Sequence, residues 1–256
     1  MIYYPLSVLM LAGIREILII STPTDLPNFE KLFGDGSQLG LKLSYKVQPS
    51  PDGLAQAFIL DEEFIGNDSV CLVLGDSIFY GAGFQKILAD SVRTVKEDNK
   101  AVVFGYYVED PERNGVAEIG ENNKVLSIEE KPKAPKCNYP VVGHYFCPNN
   151  VVEIAKNVKP SDMSEFGITS VDQAYLEQNT LKLQKLSLGF TWLDTGTHEA
   201  LTEATEFVKA FEKRTGLKIG CVEEIAYFMR YIDKARRKSL ALDLDKRSNV
   251  VYLKSI

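Results

Sequence analysis

The sequence predicts an α/β fold: a doubly wound, Rossmann-like mixed sheet that ends in a helical C-terminal extension. Two observations favour this class. Short runs that are apolar nearly throughout, such as Glu16–Ser21 and Ser69–Gly75, are typical of strands buried on both faces. Predicted helices alternate with such strands up to about Val108, which is the order expected when helices cover both faces of a sheet.

The elements of the first half follow from their apolar runs and from residues that start or stop helices. Pro5 suits the first turn of a helix that ends near Gly13. Asp52 is suited to cap a helix that continues to about Phe64. The remaining elements are a strand at Glu16–Ser21, a helix near Asn28–Phe33, a strand at Lys42–Gln48, a strand at Ser69–Gly75, a helix near Phe84–Lys96 and a strand at Ala101–Val108.

In the second half of the chain, the regular alternation of predicted helices and strands ends. The turn-rich Glu121–Asn123 separates two short apolar runs and predicts a hairpin. The predicted elements are hairpin strands at Val116–Ile119 and Val125–Glu129, a strand at Val141–Phe146, helices at Asn150–Val158 and Val171–Gln178, a strand at Leu181–Leu188, and helices at His198–Arg214 and Val222–Lys238. The simplest division is a core over residues 1–198 and a helical extension of the same domain over 199–256.

Composition narrows the function classes. Of the 256 residues, 45% are hydrophobic and 25% charged, which is ordinary for a globular protein with a sizeable core. A formal net charge of −6 argues against a nucleic-acid binder. No apolar run approaches the roughly 18 residues of a membrane span, and Met1–Gly13 is expected to be a core helix rather than a signal peptide.

The cysteines give no sign of a metal or disulfide framework. They are widely spaced and form no CxxC pair; they are Cys71, Cys137, Cys147 and Cys221. We therefore expect reduced, structural cysteines in a cytoplasmic protein.

In open α/β sheets, ligands bind beyond the carboxyl ends of the strands. Four segments occupy such positions: Gln48–Ala57, Gly75-Asp76, Glu129–Pro132 and Trp192–Thr197. Each segment has a plain alternative interpretation, as a helix cap, a turn or a solvated charge pair.

Taken together, their side chains suit nucleotidyl transfer. Two carboxylates at one edge of the sheet, Asp76 and Asp194, are ligands that Mg²⁺ prefers. Lys131 is a compact cation suited to phosphate. Gln48 can pair with the edge of a base, and Gly53 allows close approach to the backbone.

Several phrases resemble bacterial glucose-1-phosphate thymidylyltransferases. They are Tyr3-Tyr4-Pro5-Leu6, Gly34-Asp35-Gly36, the segment Tyr45–Ala57, Leu74-Gly75-Asp76, Asp110-Pro111-Glu112-Arg113, Glu129-Glu130-Lys131-Pro132 and Trp192–Thr197. The resemblance runs from residue 1 to about residue 232. It implies a Mg²⁺-dependent enzyme of deoxysugar biosynthesis that joins dTTP and α-D-glucose 1-phosphate into dTDP-glucose and pyrophosphate.

The resemblance also implies roles for individual residues. Asp76 and Asp194 would hold Mg²⁺ and, with Lys131, form the catalytic set. Lys131 would bind the sugar phosphate and Glu130 a sugar hydroxyl. The other implied substrate-binding residues are Gln48 and Gly53 at the thymine, Gly115 and Val141 at the sugar, and Asn114 and Trp192. The family further suggests a homotetramer.

The sequence departs from the family at several positions. The family's first strand and its Gly-Gly-x-Gly-Thr-Arg loop precede the phrase in which Met1 stands, so we expect that unit to be missing from this chain. Asn114 stands where Tyr is usual, and Ser77 where Asn is usual. In Glu165–Ser170, Gly167 and Ser170 replace two carboxylates. A catalytically impaired fragment, or a non-catalytic paralogue that binds a nucleotide-sugar or partner subunits, is therefore the alternative function.

Two further features have structural interpretations. His144 lies within a predicted strand, and a single histidine there is more typical of a core residue than of a catalyst. The basic cluster of the last helix, formed by Lys234, Arg236, Arg237 and Lys238, predicts a solvated helix face.

Overall fold

A computed structural model describes residues 1–50, 52–158, 167–243 and 252–253. Its contacts divide the chain into two compact units. The first comprises Met1–Pro49, Leu74–Gln85 and Thr191–Ile256, and the second Ser50–Val73 and Lys86–Phe190. Residues after 198 thus cluster with the N-terminal segment, and a domain division at that point stays a prediction.

The described residues form ten α-helices and ten strands. The helices are α1 (Tyr3–Leu11), α2 (Leu26–Phe33), α3 (Gln56–Leu60), α4 (Glu62–Ile65), α5 (Phe84–Asp98), α6 (Val151–Asn157), α7 (Ile168–Glu177), α8 (His198–Thr215), α9 (Val222–Phe228) and α10 (Lys234–Asp243). The strands are β1 (Glu16–Ser21), β2 (Lys42–Val47), β3 (Val70–Val73), β4 (Ser77–Gly81), β5 (Ala101–Gly105), β6 (Gly115–Ile119), β7 (Val125–Glu130), β8 (Val141–Cys147), β9 (Leu181–Lys185) and β10 (Phe190–Asp194).

The first unit is built around a parallel strand pair. β1 and β2 pair in register, with Ile17 opposite Leu43, and α2 connects them as a crossover helix. Helix α1 packs against α9, and their apolar side chains share one core with both strands. Met10 lies at the centre of this core and is fully buried. A second cluster joins β4 to α8 through Ile78 and Ala204.

The second unit contains a mixed sheet in the order β3-β8-β5-β9. β8 is antiparallel to both of its neighbours, whereas β9 runs parallel to β5. β6 and β7 form a separate antiparallel hairpin around Glu121–Asn123, as predicted. Helix α7 packs on β7 and positions the side chains discussed below. The α/β class with a mixed sheet is thus confirmed.

Several sequence expectations need correction. The helix expected to start at Asp52 begins at Gln56, because the Asp52 carboxylate accepts a hydrogen bond from the Gln56 side chain instead of capping backbone N–H groups. The helix is also interrupted at Asp61. The strand at Ser69–Gly75 shortens to β3 and is only half-buried, since β8 is its only neighbour in the described sheet. Strand β4 was not expected.

The predicted helix Val222–Lys238 is in fact α9 and α10. The chain turns between them at Arg230, whose φ is +60°, and the Asp233 carboxylate then accepts the Arg236 backbone N–H at 2.7 Å as a helix cap. Among the described residues, no helix is both long and apolar enough to span a bilayer.

Candidate functional site

In the first unit, the paired strands β4 and β10 position two carboxylates. Asp76 precedes β4, and Asp194 ends β10. The two are close enough that the Asp194 charge affects the titration of Asp76. The predicted convergence of these residues is therefore present in the structure.

Thr195 holds the segment that carries Asp194 against Asp76. Its backbone N–H and its hydroxyl both donate to the Asp76 carbonyl oxygen, at 3.0 and 2.7 Å. The Gly196 N–H donates to Asp194 Oδ1 at 2.9 Å, and the Thr197 hydroxyl accepts the Ala200 N–H at 3.2 Å to cap α8. Thr195, Gly196 and Thr197 therefore each make a hydrogen bond that stabilises this turn or the start of α8.

The electrostatics of the pair suit a cation. Burial of the carboxyl and, second, the charge of Asp194 raise the pKa of Asp76 above its ordinary value, although the residue as a whole remains exposed. The two like charges repel each other, and a bound divalent cation would remove that repulsion. The described residues contain no cluster of three or more His, Cys, Asp or Glu side chains suited to a metal. Water and phosphate oxygens would therefore have to complete the coordination of such an ion.

Trp192 lies on the same strand as Asp194, two residues earlier. Its indole N–H donates to Ser77 Oγ at 3.4 Å, and Ser77 is the residue that follows Asp76. Ser77 itself is buried. This contact and the Thr195 hydrogen bonds connect the C-terminal end of β10 to Asp76 and to Ser77 at the start of β4.

In the second unit, the end of β7 carries Glu130 and Lys131 beside α7. The Thr169 hydroxyl of α7 donates a short hydrogen bond to Glu130 Oε2. The Gln173 side chain donates to the Ile128 carbonyl at 2.9 Å, which fixes the helix on the strand. Thr169 was not expected as a site residue, although the phrase Glu165–Ser170 had marked its position; Glu165 and Phe166 lie outside the described residues.

Gly115 faces this hydrogen bond from the neighbouring strand β6. A Cβ atom at this position would lie 2.7 Å from Thr169 Oγ1 and 3.3 Å from Glu130 Oε2. Because the first distance is shorter than real Cβ contacts, only glycine fits without displacing its neighbours. Val141 begins β8, directly after the Val116–Pro140 bridge, and is buried.

Lys131 adopts an unusual backbone conformation. Its φ is +42°, in the left-handed region that non-glycine residues seldom occupy. Its N–H donates to the Asn114 carbonyl at 3.1 Å, and its Nζ lies 3.8 Å from Glu130 Oε1. The ammonium is half exposed, so it remains accessible to an anionic ligand. Asn114 contributes its backbone here, which any residue could do.

A buried acid lies behind Glu130. Asp172, one turn after Thr169 on α7, is only 2% exposed. Burial and, second, the nearby Glu130 charge raise the pKa of Asp172 well above its ordinary value. Asp172 was not predicted as a site residue. The sequence indicated the loss of carboxylates at Gly167 and Ser170, whereas this acid lies two residues further on.

The proposed base-reading residues lie in both units. Gln48 follows β2 in the first unit, and its N–H donates to the Ser21 carbonyl at 2.9 Å. Gly53 belongs to the second unit and has a φ of +106°, which favours glycine. Pro51, within the same phrase, lies outside the described residues. The roles of Gln48 and Gly53 therefore remain predictions.

Three structural predictions can be judged. His144 is fully buried on β8 and packs edge-on against Phe104, so the expectation of a core histidine is confirmed. Burial lowers its pKa to about 3. The solvated basic face is wrong for one member: Arg237 is 4% exposed, whereas the other three residues are exposed. The four cysteines are free thiols, as expected.

Comparison with known proteins adds independent information. The family model described as nucleotidyl transferase matches residues 1–210. A glucose-1-phosphate thymidylyltransferase of Neisseria meningitidis serogroup A is 51% identical over 99% of this chain and 87% of its own length. Its counterpart from Mycobacterium tuberculosis is 47% identical over 99% of this chain and 86% of its own length.

Two solved structures have a similar fold. A Bacillus anthracis structure assigned to the glucose-1-phosphate thymidylyltransferases is 36% identical, with a TM-score of 0.72 over 80% of this chain and 81% of that one. A UDP-glucose pyrophosphorylase with a TM-score of 0.71 over 83% of this chain and 86% of that one is 21% identical and so supports the fold alone. The chain therefore belongs to the nucleotidyl transferase family and, within it, to the glucose-1-phosphate thymidylyltransferases.

Proposed function

We propose that this chain joins dTTP and α-D-glucose 1-phosphate to give dTDP-glucose and pyrophosphate. A sugar-phosphate oxygen attacks the α-phosphorus of dTTP, a new O–P bond forms, and the bond to the β-phosphate oxygen breaks as pyrophosphate leaves. The observation that carries the proposal is the pair of hydrogen bonds from Thr195 to the Asp76 carbonyl oxygen, which hold Asp76 and Asp194 side by side. A carboxylate pair at the ends of strands is a typical place for a metal–nucleotide complex.

The residues of each unit have distinct tasks in this reaction. Asp76 and Asp194 would hold Mg²⁺, which supplies neutralisation of phosphate charge when bound. The Lys131 ammonium binds the sugar phosphate and lowers the repulsion between the two anionic substrates. Glu130 accepts a hydrogen bond from a sugar hydroxyl, and Thr169 fixes the orientation of its carboxylate. Since little covalent chemistry falls to the protein, positioning and electrostatics supply the rate.

The alternative, a non-catalytic relative, is not favoured. A protein that only binds a partner would have no need for an exposed lysine in a strained backbone conformation or for two adjacent carboxylates. Asp76, Lys131 and Asp194 have side chains suited to the proposed chemistry, and all three make supporting contacts. These three residues are present although Gly167 and Ser170 replace two carboxylates, and their presence supports a working enzyme.

The test is pyrophosphate release from dTTP, measured with and without glucose 1-phosphate and Mg²⁺. We expect turnover that depends on both additions. Asp194→Asn should lower kcat by at least about 100-fold, because it removes one charged metal ligand, while the unfolding midpoint stays nearly unchanged. The matched control is Asp68→Asn, an exposed aspartate elsewhere in the chain. Full activity in Asp194→Asn would refute the metal role.

We further propose that the enzyme is a homotetramer and works in the cytoplasm. The first proposal follows from the family resemblance, and the second from the four free thiols. Light scattering coupled to size exclusion measures the mass directly. A monomeric mass at micromolar concentration would contradict the tetramer.

A further inference from the structure

In the second unit, the carboxylate of Asp52 joins two side chains that lie on either side of Gly53. The Ser50 hydroxyl donates to Asp52 Oδ2 at 2.5 Å, and the Gln56 side-chain amide donates to the same oxygen at 2.7 Å. The Asp52 backbone N–H also donates to the Ser50 carbonyl oxygen at 3.0 Å. Through Asp52, the chain before Gly53 is therefore hydrogen-bonded to the chain after it.

Helix α3 anchors the chain on the far side of Gly53. Ala55 and Phe58 are 0% and 1% exposed, so the start of this helix is held by the core. Gln56 lies between them, and its amide is therefore a fixed point to which Asp52 can connect. Ala55, not Asp52, immediately precedes the helix, and the helix has no side-chain cap. The carboxylate thus orders the segment around Gly53 rather than the start of α3.

Gly53 depends on this support because its own backbone contacts are few. Its φ is +106°, in a region that favours glycine, and glycine has the largest conformational freedom to lose. Its carbonyl oxygen accepts the Gln56 N–H at 3.3 Å. Its own N–H donates to no residue in the part of the chain that the structure describes. That donor is half-buried and remains available to a ligand.

We propose that Asp52 is a positioning residue for the nucleotide: its carboxylate fixes the backbone of Gly53, whose N–H then meets the thymine base. This inference rests on the proposed function, in which Gly53 contacts the thymine. Asp52 itself does not touch the base and acts through Gly53. Loss of the carboxylate should therefore impair the choice of base and leave binding of the sugar phosphate, assigned to Glu130 and Lys131, unchanged.

The experiment measures pyrophosphate release with dTTP and with dCTP in competition. The two nucleotides share deoxyribose and triphosphate, so the ratio of their kcat/KM values isolates the base. Asp52→Ala should lower this ratio by about tenfold, through a higher KM for dTTP, because the Gly53 N–H loses its orientation. The KM of glucose 1-phosphate should change by less than about twofold.

Asp52→Asn separates positioning from charge. Its side-chain oxygen can accept from both Ser50 and Gln56, so this variant should restore the parent ratio to within about twofold. The matched control is Asp68→Ala, which removes another carboxylate of the second unit, one that accepts the Ser69 N–H at 2.8 Å. It should leave the ratio unchanged. Unfolding midpoints measured for all variants show whether any loss reflects folding.

The proposal is overturned if Asp52→Ala keeps the parent ratio, if Asp52→Asn loses as much as Asp52→Ala, or if both nucleotides and glucose 1-phosphate are impaired equally. Calorimetric titration of the parent chain with dTTP and dCTP separates this proposal from the proposed reaction. Binding of dTTP without pyrophosphate release refutes the reaction alone, and the ratio of dissociation constants then takes the place of the kinetic ratio. A parent chain that binds neither nucleotide overturns both.

Discussion

Gly115→Ala tests the packing of the proposed sugar site most directly. The added Cβ would lie 2.7 Å from Thr169 Oγ1, where ordinary contacts begin at 3.4 Å. Thr169 or β6 must therefore move by about 0.7 Å, and the Thr169–Glu130 hydrogen bond is displaced with it. Since a misplacement of about 1 Å costs roughly 100-fold in rate, we expect kcat/KM for glucose 1-phosphate to fall by about 10- to 100-fold.

Steady-state kinetics separate this effect from a general loss of function. Glucose 1-phosphate is varied at saturating dTTP, and then dTTP at saturating glucose 1-phosphate. The loss should appear mainly in the KM of the sugar phosphate. Gly167→Ala is the control, because a Cβ there meets no atom within 4 Å. It should change either parameter by less than about twofold, in line with a surface substitution worth under ~0.5 kcal/mol.

Two outcomes would refute this reasoning. One is a Gly115→Ala variant whose kinetics match the parent protein, which would place the sugar elsewhere. The other is an equal loss for both substrates together with a large drop in the unfolding midpoint, which would make the effect one of folding. Thr169→Val distinguishes crowding from the lost hydrogen bond, since it keeps the side-chain size and removes the donor.

Three other substitutions test separate features. Arg237→Met should raise the free energy of unfolding by about 1–3 kcal/mol in urea titrations, because Nε and Nη1 are buried without hydrogen-bond partners in the described chain. The Tyr227 ring, 4.4 Å from the guanidinium, offsets part of this cost. The exposed Arg236→Met is its control, and a destabilised Arg237→Met would show that the guanidinium has an anionic partner. Asp172→Asn should stabilise the protein increasingly as the pH rises above about 4. Because the pKa of Asp172 is raised in the folded state, the parent protein is most stable below the unfolded-state pKa of this carboxyl and loses stability as the pH rises to the folded-state pKa. The loss is about 1.4 kcal/mol for each pH unit between the two pKa values. A pH-independent difference between this variant and the parent would contradict that linkage. Gln48→Ala should weaken discrimination between dTTP and other nucleotides by about 1–3 kcal/mol, and unchanged discrimination would exclude it as the base reader.

Much of the fold could be predicted because local pattern and tertiary structure agree. β1 occupies Glu16–Ser21, as predicted, and the hairpin turns at Glu121–Asn123. The α9–α10 break could not be found from apolar periodicity, which continues through it. It depends on a left-handed Arg230 and on the Asp233 cap, and the neighbouring Tyr231 hydroxyl donates to the distant Met10 carbonyl.

The candidate site, like the fold, could be predicted only in part from the sequence. The closeness of Asp76 and Asp194 could be predicted because each follows or ends an apolar run, and such strand ends meet at one edge of a sheet. Thr169 acts on Glu130 across 39 residues of sequence, so no local spacing indicates the contact. The burial of Arg237 is equally a tertiary property. A basic helix segment gives no local sign of which member faces the interior.

Lys131 has a consequence for how this protein tolerates change. A left-handed backbone at a non-glycine residue costs about 1–2 kcal/mol, which glycine would recover. A library selected for thermal stability should therefore enrich glycine at residue 131, whereas a library selected for product formation should retain lysine. At this one position, evolution towards robustness and evolution towards turnover run in opposite directions.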